Sequence, residues 1–280
     1  MSEKKGFTLV ELLVVIAIIA LLMSILMPAL GRVRKQAKMV LCQANLKQWG
    51  ACFSAYTNAW DGYFMPGWIS GAFLGVMQPY EVYWMHALRS CYGDEGDLRL
   101  CPSATKTGTE LGIGEYGNDG GPFSAWGVFT EAWEYAYPGD SGSYGWNGFA
   151  GNPPPGEGIW NPQNKDFNWR RANVNYAANI PLLLDHQWVD CWPGDKDDPP
   201  VYDGQPWDQT SQMGRFLVNR HDGFLNTVFF DFSVRKFGLK EPWTFKWNRG
   251  FDVSDLWTIA GGVQPDDWPE WMQDLNLKDY

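Results

Sequence analysis

The side chains able to carry chemistry are few in this 280-residue chain: three histidines, five cysteines and two acidic loops. His86, His186 and His221 could join aspartates as metal ligands or as acid–base pairs, but none stands at the spacing of a metal motif. A nucleophile elbow, a P-loop and a dinucleotide fingerprint are absent too, so no enzyme chemistry is expected. Structural roles are expected instead, with His221 and Asp231 bracing one hairpin. Asp195, Asp197, Asp198 and Asp203, with Asp208 beside them, supply the hard oxygen ligands that calcium prefers, and Asp94-Glu95-Gly96-Asp97 does so less strongly. They lack the order of an EF-hand, and a solvated acidic loop is the plain alternative.

Cys42, Cys52, Cys91, Cys101 and Cys191 allow at most two intrachain bridges and leave one thiol over. Cys42 and Cys52 would lie about 15 Å apart on one helix, too far to bond each other. Among the remaining pairings Cys42 with Cys101 is favoured, because it would staple a helix to the body. No Cys-x-x-Cys spacing occurs, which argues against a zinc ribbon or a dithiol redox motif.

A different kind of chemistry is written at the N-terminus. Lys4-Lys5-Gly6-Phe7-Thr8-Leu9-Val10-Glu11 is a short charged leader, a Gly–Phe junction and one lone carboxylate, and the run from Leu12 to Gly31 that follows carries no charge. Twenty residues at about 1.5 Å each reach roughly 30 Å, the thickness of the hydrocarbon core of a bilayer. Gly6 precedes the apolar run, so cleavage there would leave the hydrophobic helix on the mature chain with Phe7 first. A secretory signal peptide has the opposite arrangement, with its small-residue cleavage site after a shorter apolar stretch. Glu11 inside apolar surroundings costs a few kcal/mol unless partnered, and a free amine at Phe7 would serve.

This order of residues resembles the class III signal of type IV pilins and type II secretion pseudopilins. The resemblance implies that a prepilin peptidase cuts between Gly6 and Phe7 and methylates the new amine, and that Glu11 is needed for assembly. It also implies that the helix is stored in the inner membrane and then packs with copies of itself, through assembly machinery in the membrane, into an extracellular or periplasmic filament. Pro28 removes one helical donor, so a kink or a locally unwound stretch is expected between Ala20 and Pro28, eased by Ser24. The positive-inside rule points the other way from the family, since Arg32, Arg34, Lys35 and Lys38 follow the span whereas Lys4 and Lys5 precede it.

The elements that position these residues follow from periodicity. The apolar helix continues into an amphipathic half ending near Asn58 and Asp61-Gly62, with Val33, Ala37, Val40, Ala44, Ala51 and Ala55 on the inward face, widened by Leu41, Trp49, Phe53 and Tyr56. That face is expected to lie against a sheet. The segment Cys42-Gln43-Ala44-Asn45-Leu46-Lys47-Gln48-Trp49-Gly50, the later Leu100-Cys101-Pro102-Ser103 and the run from His221 to Arg235 resemble a pseudopilin-like group found mainly in planctomycetes and related bacteria, with a His-x9-Asp-Gly element. Phe232 stands where that group has Gly, which sets the sequence against a turn needing positive φ. Ile180–Asp185 reads as a strand, and Thr227–Phe230 with Ser233–Phe237 as a β-hairpin.

The expected organisation is thus a leader at 1–6, a hydrophobic helix at 7–31, an amphipathic half at 32–60 and a globular body at 61–280. The fold class is α+β, a type IV pilin fold in which a long N-terminal helix packs on an antiparallel sheet carrying long aromatic loops. A net charge of −10 argues against nucleic acid as a partner. The 17 tryptophans admit a second reading, a membrane-tethered protein that captures extracellular glycan on Trp126, Trp133, Trp146, Trp160 or Trp169. Packing of loops by large buried rings is the favoured use of those residues.

Overall fold

The computed structural model describes residues 9–67, 83–93, 95–112, 121–128, 139–153, 165–206 and 211–275. Helix α1, Leu9–Ala59, is 51 residues long and passes through Pro28 without a break. The unwound stretch expected before Pro28 does not form. Helix-favouring Leu, Met and Ala on both sides sustain the spiral across one missing hydrogen bond, and Ser24 Oγ donates to the Leu21 carbonyl at 2.7 Å.

A small sheet joins β1 (Lys106–Thr107), β2 (Ser124–Gly127) and β3 (Ser141–Gly142). The main sheet has five strands, β4 (Tyr144–Asn147), β5 (Pro181–Asp185), β6 (Asp190–Cys191), β7 (Phe224–Phe229) and β8 (Val234–Gly238), in the order β6-β4-β5-β7-β8. Three neighbouring pairs are antiparallel and the edge pair β4–β6 is parallel. The α+β architecture of a long N-terminal helix on an antiparallel-rich sheet is therefore present. Both the strand expected at Ile180–Asp185 and the hairpin are found, with Thr227 opposite Arg235 and Val228 opposite Val234.

Alternation along β7 sends Val228 into the core against α1, while Leu225 and Phe229 enter a second core. That second core is built from the aromatic C-terminal segment, with Trp243, Phe245, Trp247 and Trp268 packed around Phe229 and Phe237. Covered on both faces, the sheet can use apolar residues at nearly every strand position, and all five residues of β5 are buried.

The docking face of α1 departs from the expected one. Cys42, Leu46, Trp49, Gly50, Cys52, Phe53 and Thr57 are the buried residues, whereas Val33, Val40 and Leu41 are more than half exposed. Trp49 and Phe53 are common to both sets. Alanines that repeat at helical spacing carry too little area to choose a face, and the choice falls to the large rings and to Gly50. A Cβ on Gly50 would stand 3.0 Å from the Phe232 carbonyl oxygen, so its absence lets the helix touch the β7–β8 turn.

That turn does take positive φ. Phe232 has φ 61°, and the conformation is held by Asp231, whose Oδ1 accepts the Ser233 N–H at 3.0 Å and the Ser233 hydroxyl at 2.6 Å. The Phe232 ring packs against the first core, which offsets roughly 1–2 kcal/mol of left-handed strain.

Candidate functional site

Two regions hold functional side chains: the bare stem, and a buried polar cluster where α1 meets the sheet. On the stem, the apolar residues from Leu9 to Leu30 are exposed, with Leu9 at 79% and Met27 at 68%. It is the one helix among the described residues that is long and apolar enough to cross a membrane, and none of its most apolar stretch is covered by the body. Glu11 lies in its first turn. Gly6 and Phe7 lie outside the described residues.

The cluster is assembled from four distant segments. Cys42 comes from α1, Cys101 from the Cys-Pro loop, Asp185 from the end of β5, and His221 from the loop before β7. The α1 residues around Cys42 create the approach. Asn45 Nδ2 donates to the Leu100 carbonyl at 3.1 Å and Trp49 Nε1 to the Leu98 carbonyl at 2.9 Å, which holds the Cys-Pro loop against the helix. Gln43 Nε2 donates to Asn226 Oδ1 on β7 at 3.0 Å.

Arg220 fixes the other side. Its guanidinium is buried and donates to the carbonyls of Pro122, Ser143, Ser124 and His186 at 2.6 to 2.9 Å. It thereby ties the small sheet to the end of β5 and sets the position of the next residue, His221. Its Nη1 also lies 3.7 Å from Asp185 Oδ1.

Within the cluster, His221 Nε2 is 3.3 Å from Cys101 Sγ and 3.3 Å from Asp185 Oδ2. Cys42 Sγ is 3.7 and 3.8 Å from the two Asp185 oxygens, and the ligand atoms of all four residues lie within 4.8 Å of one another. Cys42, Cys101 and Asp185 are fully buried and His221 is 5% exposed. Burial pulls the His221 imidazole down, but Asp185 beside it, with Cys101, lifts it to about 10. Burial likewise pushes the Cys101 thiol up, yet the bonds to Cys42 and His221 bring it down to about 7. Cys42 stays well above the usual thiol range, through burial first, then its hydrogen bond with Cys101 and the Asp185 charge.

Cys42 and Cys101, the favoured disulfide pair, are thus brought together as free thiols. Cys52 and Cys91 also interact with each other, and Cys191 is buried. The brace expected between His221 and Asp231 is not formed. The partners of His221 are Asp185 and Cys101, and Asp231 closes its own turn through Ser233.

The candidate calcium ligands each serve a separate loop. Asp197 Oδ2 accepts the backbone N–H groups of Gly194, Gln212 and Met213 at 2.8 to 3.3 Å. Asp195 holds the Asp252 N–H, Asp198 the Trp257 indole and Asp203 the Asn219 N–H. Among the described residues they form no group of three carboxylates within reach of one ion; Asp94 and Asp208 lie outside those residues. Of the candidate glycan platforms, Trp126, Trp146 and Trp169 are buried, and Trp133 and Trp160 lie outside the described residues.

Sequence reasoning did not find Asp185, Arg220 or Tyr144 as members of the cluster. Asp185 was visible only as a charge closing an apolar strand. Tyr144, whose hydroxyl donates to Cys42 Sγ at 3.3 Å, gave no signal.

Comparison with known families matches residues 1–27 to the prokaryotic N-terminal methylation motif. Neither a curated protein nor a solved structure matches the chain. The motif is the prepilin-type signal for processing and N-methylation, and the helix that begins within it is long and apolar enough to cross a membrane.

Proposed function

We propose that this protein is a structural filament subunit, a pilin or pseudopilin, cut between Gly6 and Phe7, methylated on the Phe7 amine and then polymerised. The observation that carries the reading is the contrast along α1. Its first half is apolar and exposed on all sides, while its second half is fastened to a body by Leu46, Trp49 and Phe53. Such a stem can lie in a bilayer or pack against copies of itself, because lipid and neighbouring stems remove its apolar surface from water equally well. A fastened body then follows the stem from one environment to the other.

Glu11 has a specific task in this reading. Inside an apolar filament core its carboxylate needs a cationic partner, and the methylated amine of Phe7 on a neighbouring stem supplies one. The order of the elements around Cys42, Cys101 and His221 supports membership of the pseudopilin-like group with the His-x9-Asp-Gly element. Partners are then the prepilin peptidase, the membrane assembly machinery and other copies of the chain.

The test is expression in a host with a prepilin peptidase, with the mature N-terminus read by mass spectrometry and surface or periplasmic filaments examined by electron microscopy. Wild type is expected to begin with N-methylated Phe7. Gly6→Ala should remain uncut, and Glu11→Ala should be cut but not assembled. Variants processed and assembled like wild type would overturn the proposal.

A further inference from the structure

We infer that Cys42 Sγ, Cys101 Sγ, Asp185 and His221 Nε2 form a closed, tetrahedral site for one divalent zinc-type ion that clamps the stem to the body. The inference does not depend on polymerisation. It rests on donor chemistry, distances, direction and charge.

Thiolate, imidazole and carboxylate are each zinc ligands, and four protein ligands together make the closed, tetrahedral arrangement of a structural site with no open position. The spacings also fit. Bonds of about 2.3 Å to sulfur and about 2.0–2.1 Å to nitrogen or oxygen place tetrahedral ligand atoms roughly 3.3–3.8 Å apart. The cluster shows 3.3 Å from the Cys101 sulfur to the His221 nitrogen, 3.3 Å from that nitrogen to Asp185 Oδ2 and 3.8 Å from the Cys42 sulfur to the same oxygen.

Direction separates this arrangement from a nucleophile triad. In a triad the nucleophile and the carboxylate sit on opposite ring nitrogens of the histidine, so that one is activated and the other orients. Here Cys101 and Asp185 both converge on Nε2, and the buried Nδ1 has no hydrogen-bond partner among the described residues. The sulfur, oxygen and nitrogen ligand atoms converge on a common centre sealed from solvent. A cation at that centre satisfies all of them together.

Charge closes as well. Two thiolates and one carboxylate around a divalent ion leave a net charge of −1, and the buried Arg220 guanidinium beside Asp185 neutralises it. Binding displaces the protons held on Cys42, Cys101 and the His221 imidazole, because the ion takes thiolates and neutral imidazole, with no change of oxidation state. Outer contacts orient the ligands: the Tyr144 hydroxyl on Cys42 Sγ at 3.3 Å, and the Asn226 N–H on Asp185 Oδ2 at 3.3 Å. One bound ion would therefore cross-link α1, the Cys-Pro loop, β5 and the loop before β7.

The full-length protein, purified in detergent without added metal or chelator, is expected to contain one zinc per chain by elemental mass spectrometry. After removal of that metal, anaerobic titration with cobalt(II) should saturate at one equivalent, with the visible absorption of a tetrahedral ion and a sulfur-to-cobalt charge-transfer band. Cys101→Ser should diminish that band. Tyr144→Phe should keep the spectrum and weaken cobalt affinity by about 10-fold. The wild-type spectrum and Tyr144→Phe decide the matter if Cys101→Ser does not fold. Folded wild-type protein that shows no thiolate–cobalt band overturns the inference. So does a Cys42–Cys101 disulfide recovered from cells alkylated before lysis.

Discussion

Replacing Trp49 by alanine should detach the stem from the body while leaving both folded locally. The indole is fully buried, sits edge-on to Trp84 with centroids 5.1 Å apart and tilted on Tyr92 at 4.7 Å, and donates to the Leu98 carbonyl at 2.9 Å. Truncating a buried tryptophan costs about 3–5 kcal/mol in lost transfer energy and cavity. The orphaned carbonyl adds about 1 kcal/mol or more. A total near 5 kcal/mol is a large share of the roughly 5–15 kcal/mol that holds a typical domain together. Guanidinium unfolding of the detergent-solubilised protein, followed by far-ultraviolet circular dichroism, measures it. Trp49→Phe keeps a ring in the slot and should lose about half as much. Trp60→Ala, at a side chain 61% exposed, should change stability by less than about 1 kcal/mol. If Trp49→Ala lies within 1 kcal/mol of wild type by the same measure, the helix is not fastened by this ring and the account of the interface fails.

Gly50→Leu forces a side chain into the Phe232 carbonyl and Val228, and overpacking of that kind should lower stability by about 1–3 kcal/mol in thermal unfolding. Arg220→Met removes the guanidinium donor from the carbonyls of Pro122, Ser124, Ser143 and His186 and one of the two cationic groups beside the buried Asp185, so a loss of at least about 3 kcal/mol is expected, together with protease sensitivity of the segment around Ser124. Asp197 is held at about 6 by burial, against the opposing pull of its three backbone N–H partners. The proton is therefore bound more tightly in the folded state. The stability it contributes is complete below about pH 4 and is lost as pH rises through about 6, a decline of at most about 3 kcal/mol. Asp197→Asn should flatten that part of the stability–pH curve, and an unchanged slope would assign it to other groups.

Much of the fold was legible because its signals are local. The apolar run before Gly31, the strand ending at Asp185 and the alternation on either side of Asp231-Phe232 each announce their own element. The docking face of α1 was harder to read. Alanines at regular spacing suggested one face, but burial follows the residues that meet another segment, such as Trp49 on Leu98 and Gly50 under Phe232. Phe232 shows the same limit at a turn, where glycine is the expected answer to positive φ, and a side chain bond from Asp231 and packing of the ring provide another.

By itself the sequence determined what is written in consecutive residues: the Gly6–Phe7 junction, Glu11, an apolar stem long enough to span a bilayer, and three of the five strands of the main sheet, β5, β7 and β8. Only the tertiary structure decided where the chemistry of the body resides. Cys42, Cys101, Asp185 and His221 share no spacing rule, because each is delivered by a different element. Ligand geometry depends on distances through space, and in this chain those distances are set by how α1 packs on the sheet.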